Sequence, residues 1–351
     1  MRILITGNTG YIGPVVASYL KNKYPNITLI GFDAGYFAHS LSAPSYLPEV
    51  NYEIQYFSDI REINPTILHG IDAIVHLSAI SNDPMGNEFE NITKEINLQA
   101  SINLIKLAVR GGVKNFVFAS SCSMYGAGGE LAKSENDPTN PLTAYAQSKI
   151  GVEEAVKNIN LGDMVFTSLR FATACGISDR LRLDLVLNDF VASAILYNKI
   201  TVLSDGSPWR PLIDVKDMAR AIDWAIHRET ENGGKFLAIN IGKNENNYQV
   251  KDLAEAVAEE IPGTIVSINK KAQPDTRSYR VNFSLFEKLA PDFIPKISLQ
   301  ESINGLKTGI LKMNFNNNSF RESEYMRLNS IRNHLAQNRL DRDLRWVIGT
   351  E

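Results

Sequence analysis

The stretch Arg2-Ile3-Leu4-Ile5-Thr6-Gly7-Asn8-Thr9-Gly10-Tyr11-Ile12-Gly13-Pro14, followed by the apolar run Ile27-Thr28-Leu29-Ile30-Gly31-Phe32 that ends at Asp33, decides the fold. Residues 2–6 have the length and composition of a strand buried on both faces. The chain then breaks into a glycine-rich turn, and Pro14 opens an apolar helix over Val15 to Leu20. Proline suits a first helical turn, where its missing N–H would have had no partner. Strand, glycine turn, helix, strand and acid follow in the layout of a dinucleotide site. Gly7, Gly10 and Gly13, with Tyr11 and Ile12 between them, permit a tight turn and a close approach of backbone N–H groups to a pyrophosphate. Asp33, about twenty residues beyond the turn, can accept hydrogen bonds from both hydroxyls of an adenosine ribose. It would repel a 2′-phosphate, which favours NAD over NADP. The spacing is G-x-x-G-x-x-G rather than the commoner G-x-G-x-x-G, and its place between a strand and a helix gives it weight.

Composition bounds the rest. The 351 residues are 44% hydrophobic and 21% charged, with net charge −3, an ordinary globular balance with length for one large or two fused domains. No bulk positive field favours nucleic acid or an anionic membrane. No apolar run reaches transmembrane length, and the first strand begins at Met1, leaving no room for a signal peptide. Cys122 and Cys175 make no disulfide framework and suit a reducing cytoplasm. His39, His69, His76, His227 and His334 are scattered without metal-ligand spacing, so no metal is expected.

Strand and helix signals alternate to about residue 170. After a weak strand near Tyr52 to Tyr56 come strands at Ala73 to Leu77, Asn115 to Ala119 and Met164 to Leu169, with helices over Asn87 to Val109 and Ala144 to Ile159. Such alternation predicts a parallel sheet covered on both faces, a doubly wound α/β fold. Residues 1–170 form the dinucleotide-binding domain, with later segments returning to it. Residues 171–304 are mainly a smaller α/β substrate-binding part, with helices at Leu185 to Tyr197, Val215 to His227 and Val250 to Glu260 and strands at Phe236 to Ile241 and Thr264 to Ile268. Residues 305–351 form a tail with an asparagine-rich loop at Asn314 to Asn318. Met326, Leu328, Ile331, Leu335 and Leu340 follow at roughly helical spacing. This tail reads as a solvated helix packed by one face, or as a subunit contact or lid.

The chemistry gathers at two further places. Ala119-Ser120-Ser121-Cys122-Ser123-Met124-Tyr125-Gly126 leaves a strand end, where sheets of this type bind ligands. Tyr145-Ala146-Gln147-Ser148-Lys149 puts a tyrosine and a lysine four apart on one helix face. A free tyrosine, with a pKa of about 10, is a poor acid or base near neutrality. A neighbouring ammonium and a nicotinium charge would both lower it.

Together these motifs resemble an extended short-chain dehydrogenase/reductase of the NAD-dependent epimerase/dehydratase family, which has a Rossmann-type fold and acts on nucleotide sugars. The match runs from Met1 to about Ser284, through the three glycines, Asp33, Ser121, Tyr145 and Lys149. Leu169-Arg170-Phe171 is similar to the family's strand into the substrate site, and Trp209-Arg210-Pro211-Leu212-Ile213-Asp214-Val215 to its diphosphate-gripping segment. The resemblance implies Tyr145 as acid/base, Lys149 on the nicotinamide ribose, and Ser121 on the reacting oxygen. It places Asp59 and Ile60 at the adenine, Leu77, Ser78 and Ala79 along the cofactor, and Phe171 against the nicotinamide. Asn188 and Arg210 would hold the nucleotide diphosphate of the substrate. A homodimer joined through the Tyr145 helix is usual in the family.

Departures narrow the reaction. Dehydratases and decarboxylases of the family carry a glutamate two places after the catalytic Ser/Thr, and dehydratases usually an aspartate between. Cys122 and Ser123 stand there instead, which disfavours water elimination and decarboxylation. Thr173 replaces an asparagine near the diphosphate, and Cys175 a usual tyrosine. Cys122 is either a buried packing residue or an acid/base with a depressed pKa. Asp83 either touches the sugar or stabilises the turn before Pro84. Arg277 and Arg280, in Asp275-Thr276-Arg277-Ser278-Tyr279-Arg280, could reach the nucleotide. These readings converge on an NAD-dependent nucleotide-sugar epimerase working through a 4-keto sugar. Its rivals are an NAD(P)H-dependent 4-keto-sugar reductase and a non-catalytic dinucleotide sensor.

Overall fold

The computed structural model describes residues 1–127, 129, 131–272, 277–315 and 319–347. Asp275, Thr276 and Asn316 to Asn318 lie outside the described residues. The strands are β1 Arg2–Thr6, β2 Thr28–Asp33, β3 Ile54–Phe57, β4 Ala73–His76, β5 Asn115–Ser121, β6 Val165–Phe171, β7 Thr173–Cys175, β8 Lys199–Val202, β9 Trp209–Asp214, β10 Phe236–Ile241, β11 Asn247–Gln249 and β12 Ile265–Ile268. The helices are α1 Gly13–Lys23, α2 Asp83–Glu88, α3 Glu90–Lys94, α4 Ser101–Arg110, α5 Ala144–Lys157, α6 Val186–Tyr197, α7 Val215–Ile226, α8 Val250–Glu260, α9 Ser284–Leu289, α10 Leu299–Lys312 and α11 Arg327–Ala336.

Seven strands form one parallel sheet in the order β10-β6-β5-β4-β1-β2-β3, a Rossmann-type doubly wound arrangement. Period-two side-chain alternation divides each inner strand between two cores. Ile3, Ile5, Val75 and Val117 pack with Val16 and Leu20 of α1 and Met218 and Ile222 of α7 on one face. Leu4, Ile74, Phe116 and Phe118 pack with Leu104 and Ile105 of α4 and Val152 of α5 on the other. The order reverses between β1 and β4, so their carboxyl ends open a crevice there. A three-stranded sheet, β11-β9-β7, and a parallel pair, β12-β8, build the smaller part with α6, α8 and α10.

The region expected as one helix over Asn87 to Val109 is interrupted. Phe89 leaves helical geometry at ψ 50°, and residues Glu95–Ala100 form a π-helical turn before α4. Inside that turn Asn97 donates to the Ile80 carbonyl at 2.9 Å and accepts from the Ile80 amide at 2.8 Å, tying the helix to the chain leaving β4. The boundary expected at residue 305 falls inside α10, whose Ile303, Leu306 and Ile310 belong to the core. In the tail the helix ends at Ala336, and Leu340 pairs instead with Trp346 in an isolated antiparallel bridge. The tail folds back on the first domain, where His334 contacts the Tyr36 carbonyl at 2.9 Å and Trp346 donates to the Ala34 carbonyl at 2.5 Å.

Candidate active site

The crevice is a cavity of about 1030 Å³, running from Asp33 past Tyr145 to Arg210. At one end the glycine turn leaves β1. Gly7 has φ +74°, and a Cβ there would lie 2.5 Å from the Ser78 amide nitrogen, so close packing of the turn on the β4 exit requires glycine. Gly13 meets the Asn8 backbone in the same way, at 2.1 Å, and lines no part of the cavity. A side chain there would clash with the turn, so glycine is required for its internal packing. Gly10 faces the cavity, with Tyr11 and Ile12 beside it. Helix α1 starts there with no side-chain cap and no acid in its first turn. Its leading N–H groups therefore offer an anion site.

Asp33 accepts from the Thr9 amide at 3.0 Å and the Gly35 amide at 2.6 Å. Burial nonetheless holds its pKa above the ordinary carboxylate value. Asp59 and Ile60 border the same end, although Asp59 is also tied to Arg61. Leu77, Ser78 and Ala79 line the floor and Phe171 the far wall. The open glycine face, the uncapped helix and the acid are the parts an NAD molecule requires, and they fit it.

Tyr145, Lys149, Ser121 and Ser123 share the cavity wall. Thr143 caps α5 through the Ala146 amide and donates to Asp83 at 2.8 Å, fixing the start of α5 on the start of α2. The Lys149 ammonium lies 5.6 Å from the Tyr145 ring centre and 4.6 Å from that of Phe118. Burial pushes Tyr145 up to about 12, opposed by the Arg182 charge and by Ser121. Burial pushes Lys149 down to about 7, opposed by Glu153. The direction for Tyr145 is opposite to that expected from the lysine alone. The protein's own surroundings desolvate the phenolate more than they stabilise it.

Thr173, Arg210 and Asp83 also line the cavity, and Arg277 pairs with Asp83 at 2.9 Å. Arg280 instead stacks over Trp209, outside the cavity wall. Two expected substrate contacts are displaced. Cys122 is fully buried and points its thiol at the Arg170 carbonyl, 3.0 Å away, while burial raises its pKa well above that of a free thiol. That is a packing cysteine, and an acid/base role does not fit it. Asn188, also fully buried, accepts from the Gly176 amide and donates to the Arg182 carbonyl, so it braces the loop after β7 and lies behind the cavity.

Comparison with known proteins agrees with this construction. Residues 3–242 match the NAD dependent epimerase/dehydratase family. The chain belongs to that family. Members are NAD-dependent enzymes, and NAD is accordingly this enzyme's cofactor. A UDP-glucose 4-epimerase of Corynebacterium glutamicum is 26% identical over 275 residues, 74% of this chain and 80% of the relative. One from Halalkalibacterium halodurans is 26% identical over 276 residues, 73% of this chain and 79% of the relative. Among solved structures, the UDP-glucuronic acid 4-epimerase of Bacillus cereus with UDP-glucuronic acid and NAD superposes with TM-score 0.75 at 22% identity, covering 89% of this chain and all of that one. The NDP-hexosamine 5,6-dehydratase TunA superposes with TM-score 0.74 at 21% identity, covering 89% and 98%. Epimerase and dehydratase thus share this fold, and the fold alone does not select the reaction.

Arg182 and Arg327 are cavity residues that reading the sequence missed. Arg182 pairs with Asp184 at 2.9 Å and donates to Ser81 at 3.0 Å, close enough to act on Tyr145. The alternation Arg180-Leu181-Arg182-Leu183-Asp184 was its only local signal.

Proposed function

We propose that this enzyme is an epimerase that oxidises C4 of a nucleotide-linked hexose, lets the 4-keto sugar present its other face, and reduces it again. The observation that carries this reading is the meeting of Tyr145, Lys149 and Ser121 in one cavity with the glycine turn and Asp33. NAD, when bound, supplies the hydride acceptor and donor. Tyr145 takes the proton of the C4 hydroxyl as the bond to hydrogen breaks, and returns it on reduction. Lys149 holds the nicotinamide ribose and, protonated, favours the tyrosinate. Its pKa of about 7 leaves it partly charged near neutrality until negative charge develops beside it. Ser121 donates to the reacting oxygen. Ser123, whose buried hydroxyl has no partner among the described residues, suits a sugar hydroxyl. Arg210 binds the diphosphate by charge-assisted hydrogen bonds.

Elimination of water calls for carboxylates beside Ser121. A thiol held protonated and a serine do not supply them. A 4-keto reductase would use the same three residues and differ in releasing its dinucleotide each turn. Buried free Cys122 and Cys175 support a reducing, cytoplasmic setting, and a homodimer through α5 is proposed, which a monomeric mass by light scattering would exclude. The test of activity is to incubate the enzyme with UDP-hexoses and follow products by NMR. Appearance of the C4 epimer without net dinucleotide consumption supports the proposal. A dehydrated product, or stoichiometric use of NADH or NADPH, overturns it.

A further inference from the structure

Arg327 opens α11 in the tail, beyond the residues that match the family, yet it lines the cavity beside Phe37 and Asp33. It is 1% exposed. One guanidinium nitrogen, Nη2, donates to the Arg180 carbonyl at 2.9 Å, and the group lies 4.5 Å from the centre of the Phe37 ring. The other terminal nitrogen, Nη1, is buried with no hydrogen-bond partner among the described residues. Neighbouring charges are already committed. Arg182 pairs with Asp184, Arg180 with Glu49, and Asp33 binds two backbone amides. Among the described residues Arg327 is therefore a desolvated cation without a carboxylate ion pair of its own, an arrangement that costs stability unless an anion arrives.

The placement says which anion. Ser178 donates to the Tyr11 carbonyl at 2.6 Å and accepts from the Arg180 amide at 3.2 Å, so the segment that holds Arg327 rests directly on the glycine turn. A dinucleotide with its ribose at Asp33 and its phosphates at the α1 N-terminus would lie in the same cavity that Arg327 lines. We infer that Arg327 binds the pyrophosphate of NAD, opposite the α1 N-terminus, and that the tail segment 319–347 is a strap closing the adenosine half of the cofactor. Tail contacts with the rim hold the strap down. Trp346 bonds to Ala34, His334 to Tyr36, and Arg321 forms an ion pair with Asp189 at 2.6 Å. Guanidinium suits this place because its planar fork meets phosphate oxygens while one face stays on the aromatic ring. The inference rests on the NAD site and adds to it a ligand from outside the family segment.

The test is displacement of bound dinucleotide from the full-length enzyme by ADP, adenosine and 2′,5′-ADP, in wild type, Arg327→Gln and Arg327→Lys. Wild type should prefer ADP to adenosine strongly. Arg327→Gln should shrink that preference about tenfold to a hundredfold while adenosine binding holds, and Arg327→Lys should restore part of it. An unchanged ratio of ADP to adenosine affinity, even with both weakened, reduces Arg327 to a packing role and overturns the inference. A loss confined to 2′,5′-ADP would assign it to a 2′-phosphate and overturn it as well. Wild type that holds no dinucleotide and binds none of the three would overturn the NAD site itself.

Discussion

Tyr145 and Lys149 illustrate why residue type and spacing announce the proposed catalytic pair but not its ionisation. Their four-residue separation on α5 follows from helical geometry and was legible. Burial was not, and it moves the two groups in opposite directions, Tyr145 up to about 12 and Lys149 down to about 7. In the proposed mechanism, bound NAD+ would supply the positive charge that brings the tyrosine into range. Removing the hydroxyl should accordingly cost most of the rate and little of the binding. Tyr145→Phe is expected to lower kcat about 10²- to 10⁴-fold with substrate affinity retained, read from steady-state kinetics and calorimetry. At the other end of the cavity, Asp33→Asn removes the charge that opposes a 2′-phosphate and keeps an acceptor oxygen for only one of the two amides, Thr9 or Gly35, that the carboxylate binds through separate oxygens. The ratio of NADP to NAD affinity should rise, measured by fluorescence titration; an unchanged ratio would mean that another group sets the preference. Cys122 and Asn188 were misplaced in the sequence because a hydroxyl-rich strand end or a helix start does not reveal which side chains turn inward to satisfy backbone groups.

At the scale of elements, α5 is held by polar groups on its inner face. Glu153, one turn beyond Lys149, accepts from Ser120 at 2.8 Å, Ser168 at 2.6 Å and Arg170 at 2.7 Å. This buried pair fixes α5 on β5 and β6 and supplies the negative charge that opposes the fall of the Lys149 pKa. Glu153→Gln would leave the Arg170 guanidinium buried with a neutral partner. Urea unfolding should show a loss of about 3 kcal/mol, and the Lys149 pKa should fall further. A variant as stable as wild type would contradict this account. Strands β1, β2 and β4 and helix α1 were readable because apolar runs, glycine and proline act locally. The π-helical turn at Glu95–Ala100 was hidden, since it answers to Asn97 clasping Ile80 across the fold.

For the whole molecule, the sheet's outer layer depends on Asp223, which joins α7 to α1. Its carboxylate accepts from Tyr19 at 3.0 Å, Lys23 at 2.6 Å and Tyr24 at 3.1 Å, and faces His227. Burial alone would raise its pKa, but hydrogen bonds from His227, Lys23 and Tyr19 prevail and hold it below the ordinary value. A carboxylate depressed in the folded state stabilises above its unfolded pKa, and that contribution fades as pH falls through the folded value. His227, whose pKa Asp223 raises, adds its share only while protonated. The stability gap between wild type and Asp223→Asn should therefore be largest, about 1–3 kcal/mol, near about pH 5 to 6, shrink as pH rises through the His227 pKa, and close below about pH 4, followed by thermal melting across pH. The tail's return over Ala34 and Tyr36 had no such local signature. Its arginines and leucines announced a helix, while its destination depends on contacts with residues about three hundred positions earlier, such as Tyr36 bonding to the Leu344 carbonyl.

An epimerase of this kind retains and recycles its NAD, so the decisive measurement is to denature freshly purified enzyme and identify and count the dinucleotide released. About one NAD per chain, predominantly oxidised, is the predicted result, because an epimerase restores its cofactor each cycle and a closed site keeps it. An empty enzyme that consumes NADH or NADPH stoichiometrically with substrate would contradict the claim and identify a reductase.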